Sequence, residues 1–325
     1  MYYVVLDYNN KWRKDVFRMF YYVANYLVDK LGFILLDIGQ LNTRMLSHFV
    51  YGENNRILVI ENHDDTLLRD YFDDVDEIKK RNYLFLYSDD IHKCRHRKLE
   101  TQYYKDFDSL FLTYYNPFFE IYPELDTSEF RKKVIWTPMC VEDSMDIEFN
   151  SCPRNKIGLF GMVTQQSYPN RFFFKKMATQ PEYKNKISVV EHPNKKYKPL
   201  NYSNKTLVIG ENYYKSLNTM LCNFTCSLTY GFAVCKYFEI PFTGSLLLCD
   251  RTHDDLGKLG FIDGVNCIMY NDQSDISNKI QYIFDNPQIV SDIRENGYYL
   301  IREKHLVSIR CQEIYGNMKK IKSKY

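Results

Sequence analysis

Three short stretches of the 325-residue chain combine residue types able to do chemistry. In "YSDDIH", Asp89, Asp90 and His92 follow an apolar run directly. A carboxylate beside an imidazole can accept a proton, orient a hydroxyl or stabilise positive charge. The same residues also suit an Asx turn leading into the basic run "HKCRHRK". In "FGMVTQQSYPNR", Gly161 ends an apolar run and Arg171 opens a helical one. A glycine turn before a helix N-terminus can hold an anion, and an arginine there can clamp phosphate oxygens; it can equally be a turn with a surface arginine. In "KYFEIPFTGSLLLCD", Glu239 stands at the lip of a leucine-rich run, three residues after Lys236. A glutamate seldom sits among apolar residues without a partner. Its carboxylate could accept two hydrogen bonds from a vicinal diol such as a ribose, or simply pair with Lys236 at the end of a helix that Pro241 terminates.

Other chemistries lack their signatures. No glycine fingerprint of a dinucleotide site follows the first apolar run, and there is no phosphate-loop, zinc-protease or serine-elbow motif. Cys222 and Cys226 are four apart on an expected helix, but no second pair completes a zinc site, and nine cysteines fit a reducing compartment better than a disulfide framework. Lys and Arg (43) nearly balance Asp and Glu (41), so net charge gives no case for nucleic acid or an anionic membrane. The opening "MYYVVLDYNN" is too short for a signal peptide or a membrane span, which makes a cytoplasmic location the expectation.

These stretches need a scaffold, and the order of elements predicts one. Apolar runs at 2–7, 32–39, 56–62, 83–90, 109–115 and 133–140 read as strands separated by helix-length segments. Polar residues 141–155, with Pro153, read as a linker. A second alternating series follows, with strands at 156–163, 186–192, 205–210, 244–250 and 265–271 and helices at 171–179, 274–286 and through the tail. The fold class is α/β, with two units in tandem, each a parallel sheet covered by helices. In such sheets ligands bind beyond the carboxyl ends of the strands.

The segments "YGFAVCKYFEIPFTGSLLLCD", "LGFIDGVNCIMYND", "SDISNKIQYIFDNPQIVSDIRENG" and "REKHLVSIRCQEIY" closely resemble the C-terminal part of CgeB-like glycosyltransferases. The resemblance runs from Lys156 to Tyr315; the N-terminal half is similar only in strand order and in the end of "YSDDIH". It implies a GT-B fold, two Rossmann-like domains facing a cleft, with residues 1–145 on the acceptor side and 156–300 holding a nucleotide sugar. Residues 301–325 would form a helical segment able to pack back on the first domain. The implied reaction is transfer of a sugar from a nucleoside diphosphate sugar, UDP or GDP being favoured, to a hydroxyl of a glycan or other acceptor. Retention of configuration, independence of metal and the absence of any other cofactor are implied as well. In related retaining enzymes the second of two glutamates holds the donor ribose; Glu239 matches it, while the first falls on Gly231. Gly161 and Arg171 match the family's loop and arginine, Thr243, Gly244 and Ser245 would offer backbone N–H groups to the donor, and Lys236 would face the diphosphate. Asp90 and His92 remain the candidates for acceptor or sugar contact. Two alternatives stand beside this reading: a GT-B-like carbohydrate- or nucleotide-binding protein without turnover, and a sugar-nucleotide epimerase of the same fold.

Overall fold

A computed structural model describes residues 1–6, 8, 18–37, 52–61, 75–88, 97–191 and 208–321. The chain divides into two compact units, one of Met1–Pro138 with Val307–Tyr325, the other of Met139–Leu306.

The first unit contains strands β1 (Tyr2–Leu6), β2 (Ile34–Asp37), β3 (Arg56–Glu61), β4 (Tyr83–Ser88), β5 (Ser109–Leu112) and β6 (Val134–Trp136). They form one parallel sheet in the order β2-β1-β3-β4-β5-β6. Between them lie α1 (Met19–Leu31), α2 (Val75–Arg81), α3 (Arg97–Asp106), α4 (Asn116–Ile121) and α5 (Ser128–Arg131). β4 and β5 are buried along their whole length, as apolar runs covered on both faces must be. Asp90 and His92 lie outside the described residues.

The second unit is a five-stranded parallel sheet of β7 (Arg154–Gly161), β8 (Ile187–Glu191), β9 (Met220–Phe224), β10 (Leu246–Asp250) and β11 (Ile268–Tyr270), ordered β11-β10-β9-β7-β8. Its helices are α6 (Pro169–Met177), α7 (Gly210–Asn218), α8 (Lys236–Phe242), α9 (Ile276–Asp285) and α10 (Pro287–Lys304). Strand order reverses between β7 and β9, because the chain crosses to β8 on one side and then returns to the other. The loops leaving those two strands therefore diverge at the carboxyl edge and open the crevice that doubly wound sheets use for ligands. Below it, Phe174 of α6 stacks on Phe224 of β9 with ring centroids 4.0 Å apart, and Leu159, Leu246, Leu248, Ile268 and Ile280 complete the core. α10 lies close against α8, and a Cβ at Gly297 would come within 2.7 Å of the Asn266 carbonyl. The final helix, α11 (Val307–Lys320), returns to the first unit and packs on α1.

Four expectations are corrected. Cys222 belongs to strand β9, which pairs with β7 and β10, and Cys226 follows it; the helix ends earlier, at Asn218. Burial pushes both thiols up, the Cys226 thiol to about 11. Val208 and Ile209, the described part of the strand expected at 205–210 apart from Gly210, are not strand, and Gly210 opens α7. Pro241 lies inside α8 rather than ending a helix near Glu239. α8 is so short that the missing N–H falls in its last turn, where little continues to be disrupted. Finally, the expected linker is tethered: Val141 bridges Leu306, Ile147 is buried, and Phe149 packs on Gly244 and Tyr298 within the second unit. No helix among the described residues is long and apolar enough to cross a membrane.

Candidate functional site

The carboxyl edge of the second sheet gathers four of the residues singled out in the sequence. Gly161 ends β7 with φ +99°, a backbone conformation that favours glycine. A Cβ at this position would lie 2.6 Å from Lys236 Cε, 3.2 Å from Lys236 Nζ and 3.8 Å from Arg171 Nη1. Glycine is thus required twice, by its dihedral angle and because the Lys236 side chain crosses over it.

Arg171 comes from the first turn of α6, which Pro169 opens. It is only 2% exposed. Its Nη1 donates to the Met162 carbonyl at 3.3 Å, and its Nη2 to Thr225 Oγ1 at 2.7 Å and the Cys226 carbonyl at 3.4 Å. The guanidinium stacks over Tyr168, 4.0 Å from the ring centroid. These bonds tie the loop after β7 to the loop after β9, across the crevice where strand order reverses. A direct clamp on phosphate oxygens is not the role that so buried and committed a fork supports. Its Nε, also buried, has no hydrogen-bond partner among the described residues. Arg171 therefore contributes a fixed positive charge from beneath the site.

Lys236 and Glu239 stand in the first turn of α8, with side chains 16% and 18% exposed. Nζ lies 3.9 Å from Glu239 Oε2, so the pair is close but not in direct hydrogen-bond contact. Tyr213 joins them: Lys236 Nζ donates to its hydroxyl at 2.8 Å, and the hydroxyl donates to Glu239 Oε2 at 2.8 Å. Tyr214 donates to Glu239 Oε1 at 3.3 Å. Burial holds the Lys236 ammonium below the usual lysine range, with the nearby Glu239 opposing that shift and Arg171 adding to it. Burial and the Glu239 charge push the Tyr213 hydroxyl well up.

Thr243, Gly244 and Ser245 are not brought to this edge. α8 runs back along the sheet from its carboxyl edge, so residues just before β10 lie at the opposite end of the strands. The N–H groups of Thr243 and Gly244 close the end of α8 onto the Ile240 and Pro241 carbonyls. Ser245 Oγ accepts from Asn223 Nδ2 at 2.7 Å and donates to the Met220 carbonyl at 3.0 Å. These residues terminate a helix and pin a strand.

Gly231 adopts φ +76°, and a Cβ there would meet the His253 ring at 2.3 Å. His253 N–H donates to the Gly231 carbonyl at 3.0 Å. A side chain at position 231, where the resemblance places a first glutamate, would be strained by this φ and would meet the His253 ring as it stands. Sequence reasoning missed Tyr213, Tyr214 and Thr225. The signal was a tyrosine pair at the start of the helix before β9, and among 29 tyrosines it does not stand out.

Comparison with solved structures settles the architecture. A glycosyltransferase from Rickettsia africae matches at a TM-score of 0.62 and 12% identity, covering 99% of both chains. The fold is GT-B. The Anabaena protein HepE, solved with UDP and glucose, matches this GT-B chain at a TM-score of 0.58 and 8% identity, over 99% of this chain and 100% of its own. The pneumococcal O-GlcNAc transferase GtfA, solved with UDP and GlcNAc, matches at 0.57 and 9% identity over 86% of this chain; the match spans 59% of GtfA. Residues 165–316 match the family model described as glycosyl transferase-like, just under half of the chain. No curated protein sequence matches. The GT-B chain therefore carries a glycosyl transferase-like domain that contains Arg171, Tyr213, Lys236 and Glu239.

Proposed function

We propose that the protein is a CgeB-like glycosyltransferase that moves a sugar from a nucleoside diphosphate sugar to a hydroxyl acceptor. One observation carries the reading: at the crevice where strand order reverses, the buried Arg171, the partly buried Lys236 and the Glu239 carboxylate meet beside a glycine over which the Lys236 side chain crosses. Two positive charges against one negative favour an anion, and the first turns of α6 and α7 add helix-terminal charge of the same sign. UDP bound to HepE and to GtfA supports a nucleoside diphosphate as that anion.

In the reaction the acceptor oxygen forms a bond to the sugar's anomeric carbon, and the bond from that carbon to the diphosphate breaks. The electron pair leaves with the diphosphate, whose growing charge Lys236 meets directly and Arg171 through the field, and the acceptor hydroxyl's proton passes to Asp90 or His92. Glu239 accepts from the ribose hydroxyls. We assign Asp90 and His92 to the acceptor side, as base or sugar contact, and infer retention without a metal, the leaving charge being met by protein cations. A screen of purified protein against UDP, GDP, ADP, TDP and CDP sugars by thermal shift, followed by assays of donor hydrolysis and transfer, tests this. We expect stabilisation and turnover with a UDP or GDP sugar; stabilisation by none of them overturns the reading. The lack of an acid at Gly231 favours one second reading, a nucleotide-binding protein without turnover. Binding with neither hydrolysis nor transfer would select it.

A further inference from the structure

The assignments of Lys236 to a diphosphate and Glu239 to a ribose rest on the donor reading above, and they raise a difficulty. Two opposite charges three residues apart on one helix ordinarily close into a direct pair, which would leave less of either for a ligand. Here they do not close. The Tyr213 hydroxyl stands between them, 2.8 Å from each, while Nζ and Oε2 are 3.9 Å apart. A phenol has one proton to give and lone pairs to receive one, so it serves both neighbours at once.

The surroundings hold it there. The Tyr213 ring lies under the ammonium, with Nζ 4.6 Å from its centroid, and its edge meets Phe160 of β7 and the ring of Tyr214. Tyr214 secures the other carboxylate oxygen. The Lys236 stem lies against Gly161, so the ammonium cannot retreat toward β7 without meeting backbone. One of the ammonium's three donors goes to Tyr213, and two of about four carboxylate sites go to the tyrosines; the others remain for a ligand.

We propose that Tyr213 is a positioning residue of the donor site, its hydroxyl holding Lys236 and Glu239 apart so that one serves the diphosphate and the other the ribose diol. Removal of that oxygen lets the lysine and glutamate collapse onto each other and withdraws both from the ligand.

The test is Tyr213→Phe in the full chain, titrated by calorimetry with UDP, GDP and their 2′-deoxy counterparts. The wild type should prefer a ribonucleotide over its 2′-deoxy form. The variant should bind that ribonucleotide about tenfold more weakly, the scale of one charged hydrogen bond, and the preference should fall toward one. A tyrosine that merely supports the fold would lower Tm and leave the ratio intact; an intact ratio in a folded variant overturns the proposal. A wild type that binds neither UDP nor GDP, nor any other nucleoside diphosphate of the screen above, overturns the donor reading itself, and one that binds without preference overturns the diol assignment. Should Tyr213→Phe not fold, 3-fluorotyrosine at position 213 serves instead. Its fluorine resonance should shift on addition of whichever of UDP and GDP binds, and a resonance indifferent to that nucleotide overturns the proposal.

Discussion

Glu239 illustrates how much a single residue can disclose and where that stops. A lone acid beside a run of leucines is legible in sequence, because burial without a partner is costly. Its partners were not legible: Lys236 shares its helix, but the tyrosines come from another element 25 and 26 residues away. Arg171 was legible as a cation near the site, whereas its commitment to Met162, Thr225 and Cys226 depends on how two loops meet. Two outcomes follow at this scale. Glu239→Ala should weaken nucleoside diphosphate binding by about 1–3 kcal/mol, measured by titration calorimetry in a variant of unchanged circular dichroism. Lys236→Met should weaken it at least as much, by the same titration, since the cation that faces the diphosphate is lost. The Lys236 pKa lies below its unfolded value, so this residue's term makes stability rise with pH between the folded and unfolded pKa values. Ligand affinity should move the other way, falling as pH rises through that lowered pKa, and the fall should vanish in Lys236→Met.

Elements explain why neighbouring sequence stretches end at opposite edges. Glu239 and Gly244 are five residues apart, yet a helix running back along the sheet carries one to the carboxyl edge and the other away from it. The stretch "KYFEIPFTGSLLLCD" mixes a binding half with a structural half, and only the helix boundary separates them. That boundary was misjudged because Pro241 usually marks an end, while here the helix is short enough to contain it. Glycines with positive φ mark the turns at this edge. Gly161→Ala should cost about 1–3 kcal/mol of stability from strain and also displace Lys236, so chemical denaturation and nucleotide titration should both register it. Gly231→Ala should lower Tm through its φ and through contact with the His253 ring. Adding His253→Ala should return part of that loss, whereas equal losses in both backgrounds would refute steric conflict as the cause.

At the scale of the molecule, tandem α/β units were readable from the alternation of apolar runs, and each run meets a strand of one of two parallel sheets apart from the stretch at 205–210. Which unit receives the last helix was not written in any local pattern, since α11 is amphipathic like its predecessors. In the first unit α11 buries Val307, Cys311, Ile314 and Met318, and Arg56 donates to the Met318 and Ile321 carbonyls. Each buried apolar side chain contributes about 1.5–3 kcal/mol, so loss of the four exceeds what most small units can spare. A chain ended at Leu306 should lose cooperative unfolding of residues 1–138 in hydrogen exchange, while residues 139–306 keep their protection.

That arrangement has a consequence for the order of events at the ribosome. Domains ordinarily complete themselves as they emerge, the amino-terminal one first. Here residue 306 finishes the second unit while the first, begun earlier, still lacks α11. The nascent chain thus completes residues 139–306 while the sheet of residues 1–138 still waits, with one face short of α11, for residues 307–320 to follow.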